Sequence, residues 1–382
     1  MKKIDQTELN KFLQEGRIQD ADLSGSKLSD MDFSSCTLDN VIFSTPDNKR
    51  IHRNLSFKGS KLINVRFDNA TLISCNFDAI KKRDEDEEDE ITEIKRCSFK
   101  NANLRSCRFR GSLMEWSDFR YAEIRNGTFE SSRISFCDFY RAFFLGVVIF
   151  RKSRIDKCSL HYTHFDDSAG LRRENLEKLK ILQEYKQEYR SFLEDWKTLG
   201  TGTRRNDLNQ ESAWEIEKSV RNRFEDAENI YKFLNGFWAS RGLLGNANWA
   251  YIKGKRMERR SLWSQIRYNS FSLHSVKFFI QAGWNLFKDL AFGYGESIRR
   301  MVISYVLVVV VFAWIFFSTP GTGLIDYLQA IKVSLKNMAA INSHQLQDVS
   351  PFIDMLNVVQ TTMGILLTGI FGFILGNKIR NQ

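Results

Sequence analysis

Three groups of residues combine types and spacing that could support chemistry. Cys158, His161 and His164 sit three apart and carry the donor atoms of a zinc-type site. Asp84, Glu85, Asp86, Glu87, Glu88, Asp89 and Glu90 form an unbroken acidic run directly after Lys81, Lys82 and Arg83. Seven adjacent carboxylates suit a cation or a basic protein surface, but like-charge runs are more often solvated loops. No glycine or asparagine stands at calcium-loop spacing, so a solvated loop is expected, with an acidic docking finger as its functional alternative. Gly200, Thr201, Gly202 and Thr203 imitate a phosphate loop, yet no strand precedes them and no Lys-Ser/Thr pair follows. There is no Gly-x-Ser-x-Gly, and the five histidines are scattered. No catalytic residue, metal or cofactor is therefore assigned, and an enzyme is not expected.

The element that must position the Cys-His trio decides against it. From Cys97 to Ile149 the chain counts in fives: Phe99, Leu104, Phe109, Met114, Phe119, Ile124, Phe129, Ile134, Phe139, Phe144 and Ile149 are all large and apolar. Two residues before each stands a smaller one, as in Cys97, Ala102, Cys107, Ser112 and Ser117, with Val147 the bulkiest. A helix repeats every 3.6 residues and a strand every two, so neither explains period five. A short fixed period means a solenoid whose coils bury their inward side chains on one another. All six cysteines (Cys36, Cys75, Cys97, Cys107, Cys137 and Cys158) occupy the small inward position, which makes them buried small hydrophobes rather than a disulfide framework. Such thiols fit a reducing, cytosolic setting. Cys158 then points inward while His161 and His164 point out, so the three cannot share an ion.

The same register runs upstream through Leu23, Leu28, Phe33, Leu38 and Phe43, then Phe57, Leu62, Phe67, Leu72 and Phe77. Downstream, after a one-residue slip, it reaches Ile155, Leu160 and Phe165. Units such as Ala21-Asp22-Leu23-Ser24-Gly25 and Ala102-Asn103-Leu104-Arg105-Ser106 resemble the pentapeptide-repeat family over residues 17–168. The resemblance implies a four-sided, right-handed β-helix with one pentad per side. Twenty-four large positions then make roughly six coils, with Phe99, Leu104, Phe109, Phe119, Phe129 and Phe139 in the core. Two loops are expected to interrupt it, residues 44–54 around the Pro46-Asp47-Asn48 turn and residues 79–93 around the acidic run.

Only three prolines and 27% charged residues exclude a mainly disordered chain of 382 residues. Residues 1–16 read as an N-terminal cap without a signal-peptide core. Residues 169–270 turn helical. Residues 171–197 form one helix, and residues 213–267 form a hairpin turning near Arg241. Within it Tyr231, Leu234, Trp238, Ala247 and Tyr251 are spaced like one tetratricopeptide-type unit, with Asn235 and Gly254 off-pattern. One such unit cannot bury both faces alone, so structural packing is preferred to peptide binding.

Residues 271–295 read as an amphipathic interfacial helix with Val276, Phe279, Ile280, Trp284, Phe287, Leu290 and Tyr294 on one face. Residues 296–382 read as a transmembrane hairpin with spans at about 301–317 and 356–376. Between residues 253 and 300 there are ten Lys/Arg against three acids, whereas the segment from 318 to 355 holds two Lys and three Asp. Positive residues stay inside, so both termini are expected in the cytoplasm of a bacterial-type inner membrane protein. In the second span Gly364, Thr368, Gly372 and Gly376 recur every four residues, with Gly369 beside them. Small residues at that spacing let helix backbones approach, so a homo-oligomer is expected, a tetramer being one arrangement.

Span, re-entrant amphipathic stretch over residues 326–335 and glycine-bearing span together resemble the two-transmembrane ion-channel superfamily across residues 299–380. In that superfamily a Thr-Val-Gly-Tyr-Gly filter follows the pore helix. Here Asn337, Met338, Ala339, Ala340 and Asn342 occupy the equivalent loop without a glycine pair, so potassium selectivity is not expected. Gly293-Tyr294-Gly295 precedes the first span and reads as a turn into the membrane. The expected function is a membrane-embedded homo-oligomer whose cytoplasmic β-helix senses or docks a protein or ligand and controls a pore-like module. The alternative is a non-conducting, membrane-tethered scaffold. Some family members mimic DNA through an acidic rod, but a net charge of +10 argues against that, and no nucleic acid partner is expected.

Overall fold

Each pentad turns one corner and sends its large side chain inward, so the period of five becomes a four-sided β-solenoid. In the computed structural model residues 1–45, 47, 49–82, 88–201, 210–268, 273–319, 324, 326–341 and 351–380 are described. One face stacks the three-residue strands Arg17–Gln19, Thr37–Asp39, Lys61–Ile63, Glu93–Lys95, Leu113–Glu115, Arg133–Ser135 and Arg154–Asp156 in parallel. The parallel bridge Ile155–Leu176 adds an eighth level. A second sheet of six strands runs from Ile51–Arg53 to His164–Phe165. The two remaining faces are held by single bridges in columns, one through Ile42, Arg66, Ser98, Asp118 and Asp138, the other through Ser56, Asn76, Arg108, Thr128 and Ile149.

Inside, the bridge faces supply mostly phenylalanine and the sheets mostly Leu, Ile and Met, with phenylalanine at Phe144 and Phe165 of the second sheet. The rings stack in two columns, Phe33–Phe57–Phe77–Phe109–Phe129–Phe150 and Phe43–Phe67–Phe99–Phe119–Phe139, with centroids 4.5–5.3 Å apart. Phe99, Leu104, Phe109, Phe119, Phe129 and Phe139 are all buried, and so are the six free cysteines. Burial pushes the Cys97 thiol up to about 12, so that sulfur stays protonated and inert.

Three details of the ladder differ from the sequence reading, and beyond it the single helix expected over residues 171–197 is three 3-10 turns between Arg173 and Glu184 with a helix only from Lys186. Within the expected range Ile18 is an inward position before Leu23, and the ladder ends later than expected, at Leu176, which raises the level count from about six to eight on the first face. Strand Ile51–Arg53 lies inside the expected first loop, because His52 fills an inward position opposite Leu72 while polar itself. Burial holds that imidazole down at about 4, hence neutral. The one-residue slip falls before Ile149, not after it. Val148 and Phe150 are buried whereas Val147 is 57% and Ile149 37% exposed, and two adjacent large apolar residues hid the shift. The second insertion is pinched at its base by an antiparallel pair, Ile80 N–H to Glu90 O at 2.8 Å and Glu90 N–H to Ile80 O at 3.0 Å.

Helices close both ends. Helix α1 (Gln6–Glu15) is N-capped by Asp5, ends on Gly16 with φ 68° and buries Leu9 against the first coil. Helices α2 (Lys186–Thr201), α3 (Gln210–Ser240) and α4 (Leu244–Tyr268) follow the solenoid. The α3–α4 hairpin is its C-terminal cap: Trp238 Nε1 donates to Leu171 O at 2.8 Å, and Phe237 lies 5.4 Å from Phe165. Tyr231, Leu234, Trp238 and Ala247 are consumed by this packing.

The chain divides into two units, Met1–Ser261 and Leu262–Gln382. The second contains α5 (Leu273–Phe292), α6 (Ile298–Ser318), α7 (Tyr327–Met338) and α8 (Pro351–Arg380). Helices α6, α7 and α8 pack on one another, and α5 packs along α6.

Candidate functional site

The second unit is inverted relative to a soluble fold. Its large apolar side chains face outward, among them Trp314 at 63%, Phe373 at 68% and Leu290 at 66% exposure. Its polar side chains Ser275, Asn285, Asp289, Ser334, Asn337 and Gln360 are buried. In water such an arrangement would expose apolar area and desolvate polar groups, both unfavourable; in lipid both signs reverse. Ile298–Ser318 has mean hydropathy 2.6 and Pro351–Gly376 1.9, with 28% and 22% of the most apolar window buried. Both helices are long and apolar enough to cross a membrane. A core helix of a soluble protein would be mostly covered, and these are mostly bare.

Helix α5 carries the same inversion at its scale. Val276, Phe279, Ile280, Trp284, Phe287 and Leu290 face out, while Asp289 turns in and pairs with Arg300 Nη1 at 2.6 Å. The Gly293–Gly295 turn then swings the chain into α6, with φ of 55°, 58° and 86° at Gly293, Tyr294 and Gly295. A side chain at Gly293 would also meet Ser297, so glycine is required there twice over.

Twelve residues give α7 a length of about 18 Å, too short to cross a core of about 30 Å. Asp326 caps its start by accepting from Leu328 N–H at 3.3 Å. Its last turn carries the polar cluster. Ser334 Oγ donates to Val309 O of α6 at 2.8 Å. Gln360 Nε2 of α8 donates to Ser334 O at 3.2 Å and also meets Ser334 Oγ. Asn337 Nδ2 donates to Asn357 Oδ1 at 2.8 Å and Gln360 Oε1 at 3.1 Å. These hydrogen bonds tie the end of α7 to both long helices, and Asn357 and Gln360 are functional candidates that the sequence pattern did not single out.

Of the expected loop, Asn337 and Met338 belong to the last turn of α7, Ala339 and Ala340 follow it, and Asn342 lies outside the described residues. The small-residue stripe divides. A Cβ built on Gly364 would lie 2.7 Å from Met338 Cα, so this glycine lets α7 end directly against α8. A Cβ at Gly369, Gly372 or Gly376 meets nothing within 4 Å. Thr368 is exposed and borders an apolar cavity of about 210 Å³ with Met301, Tyr305 and Phe371.

In the first unit, Asp84, Glu85, Asp86 and Glu87 lie outside the described residues. Glu88 is exposed, Asp89 accepts from Lys82 N–H at 3.1 Å, and Glu90 pairs with Lys82 Nζ at 3.1 Å and Ser35 Oγ at 2.7 Å. Cys158 is inward, whereas His161 faces Asp226 of α3 and His164 lies on a strand of the second sheet.

These features define a β-solenoid followed by a helical region and two helices apolar and long enough to cross a membrane. Residues 17–44 and 97–135 match the family described as pentapeptide repeats, in eight copies. None of the curated proteins matches the chain. Among solved structures it is similar to QnrB1, a plasmid-mediated fluoroquinolone resistance protein, at 19% identity over 45% of this chain and 75% of that one, TM-score 0.17. Others are the pentapeptide-repeat proteins Rfr23 of the cyanobacterium Cyanothece 51142 (13% identity, 43% and 96% covered, TM-score 0.14) and HetL of Nostoc sp. strain PCC 7120 (16%, 44% and 95%, 0.14). TM-scores this low carry no weight for function.

Proposed function

We propose that this protein is an integral membrane homo-oligomer in which α7 and α8 of several copies surround a pore, with the solenoid as a cytoplasmic docking or sensing module. The observation that carries the reading is the polar cluster of Ser334, Asn337, Asn357 and Gln360 at the end of a helix too short to span. Polar side chains between apolar spans are expensive and concentrate where a pathway needs them. The last carbonyls of α7 carry the negative end of its dipole, which favours a cation over an anion. Without a Thr-Val-Gly-Tyr-Gly filter, discrimination among cations is low. The bare positions Gly369, Gly372 and Gly376 give neighbouring copies a surface of close approach.

The scaffold alternative has one observation in its favour: the cluster is satisfied within a single chain and needs no partner. Native mass spectrometry of the detergent-solubilised protein, with cation flux through proteoliposomes, separates the two. The pore reading expects an oligomer and flux, and Gly372→Leu reduces both. An oligomer without flux selects the scaffold, and a monomer overturns the pore.

A further inference from the structure

The solenoid face that carries Arg66, Ser98 and Asp118 is covered over only part of its length. Leu182, Tyr189 and Phe192, with Ile216 and Val220 of α3, form a small core over the later coils. Trp196 of α2 stands as a wall where that cover stops, and a cavity of about 550 Å³ opens beside it over the earlier coils. That size falls within the range of small-molecule sites, about 300–1,000 Å³.

The charges lining the cavity do not balance. Arg66 is spent on Asp68 at 3.1 Å and Arg120 on Asp118 at 2.7 Å. The side chains of Arg96 and Lys100, also lining it, make no ion pair or hydrogen bond among the described residues. Arg96 is placed against its own backbone preference. It occupies a corner with φ 54°, where the equivalent corners of the two preceding coils carry Asn40 and Asn64, residues that tolerate the left-handed region far better. The following corners carry Trp116, Phe136 and Lys157 at φ 51–54°, so the corner conformation belongs to the coil, and what sets Arg96 apart is a cation without a counter-charge over a cavity. Trp196 Nε1 is buried without a hydrogen-bond partner among the described residues, while its ring lies against the Arg120 guanidinium 5.1 Å away. Asn64 and Asn101 add amide donors and acceptors to the rim.

We infer that this cavity binds a nucleotide: Arg96 and Lys100 take the phosphates, the flat base lies against the Trp196 wall, and the asparagines meet its polar edge. The inference concerns the first unit alone and does not depend on the pore. Equilibrium dialysis of the detergent-solubilised full chain against radiolabelled ATP, with AMP, pyrophosphate and adenosine as competitors, tests it. ATP is expected to bind, with adenosine and pyrophosphate each competing at least tenfold more weakly than AMP. Arg96→Asn places there the residue of the two preceding corners, which tolerates the left-handed region better, so it keeps or raises the melting temperature while weakening ATP at least tenfold. Trp196→Leu is expected to weaken ATP but leave pyrophosphate unchanged. Absence of ATP binding at millimolar concentration, equal competition by pyrophosphate and AMP, or undiminished binding by folded Arg96→Asn overturns the proposal.

Discussion

At the scale of single residues, two of the titratable groups buried in the first unit have opposite consequences. Asp138 sits under α2 and α3, its Oδ1 accepting from Tyr140 N–H at 2.9 Å and its Oδ2 3.8 Å from Arg120 Nε; Asp118 and Ser159 are its other neighbours. Burial outweighs that arginine and pushes the carboxyl up to about 6. Between pH about 4 and 6 the folded chain therefore holds a proton that the unfolded chain has released, and stability falls as pH rises through that window. His52, held down at about 4, does the reverse: the unfolded chain binds a proton the folded one refuses, and stability rises from about 4 to 6.5. The two largely offset each other. Asp138→Asn removes the falling part, so its stability should climb with pH by about 2 kcal/mol more than the wild type across the window. Because every cysteine lies in the solenoid, thermally induced thiol labelling of the full chain reads this unit specifically. Parallel pH profiles for the two proteins would sink the assignment.

At the scale of elements, what the sequence made legible was whatever a period could carry. The solenoid's fives are visible because each coil needs the same side chain in the same place, and both long apolar helices are visible because length and apolarity are properties of composition. Features set by single contacts were hidden. His52 is inward but polar, Ile149 and Phe150 are both plausible core residues, and the junction of α7 with α8 depends on which glycine meets which backbone. Gly364 gives that junction a test. Gly364→Ala must move Met338 and disturb the Asn337–Gln360 hydrogen bond, at about 1–3 kcal/mol. Gly369→Ala enters open space within the chain and gains helix propensity of about 1 kcal/mol. Helix loss of the two variants on titration with SDS should therefore differ in sign from wild type. Equal resistance would mean that α7 does not end on α8.

At the scale of the whole molecule, the solenoid is a one-dimensional stack in which each coil leans on its neighbours, on the caps at its ends and, over the later coils, on the flank of α2 and α3. Opening should start at the ends and die away inward. Cys36 and Cys158 lie nearest α1 and the α3–α4 cap, whereas Cys97 and Cys107 are central. Native thiol labelling should be faster at the outer pair, and deletion of residues 1–16 should accelerate Cys36 without affecting Cys158. A uniform rate at all the cysteines would mean the solenoid opens as one block.

The two hydrogen bonds between Ile80 and Glu90 close off the second insertion at its root, and Lys61 pairs with Glu93 in the register that an uninterrupted coil would give. Beyond that clasp, lengthening the loop costs only about 0.6 kcal/mol per doubling. The segment it encloses is therefore an interchangeable cassette, free to drift, grow or be replaced in evolution while the coils on either side keep their places.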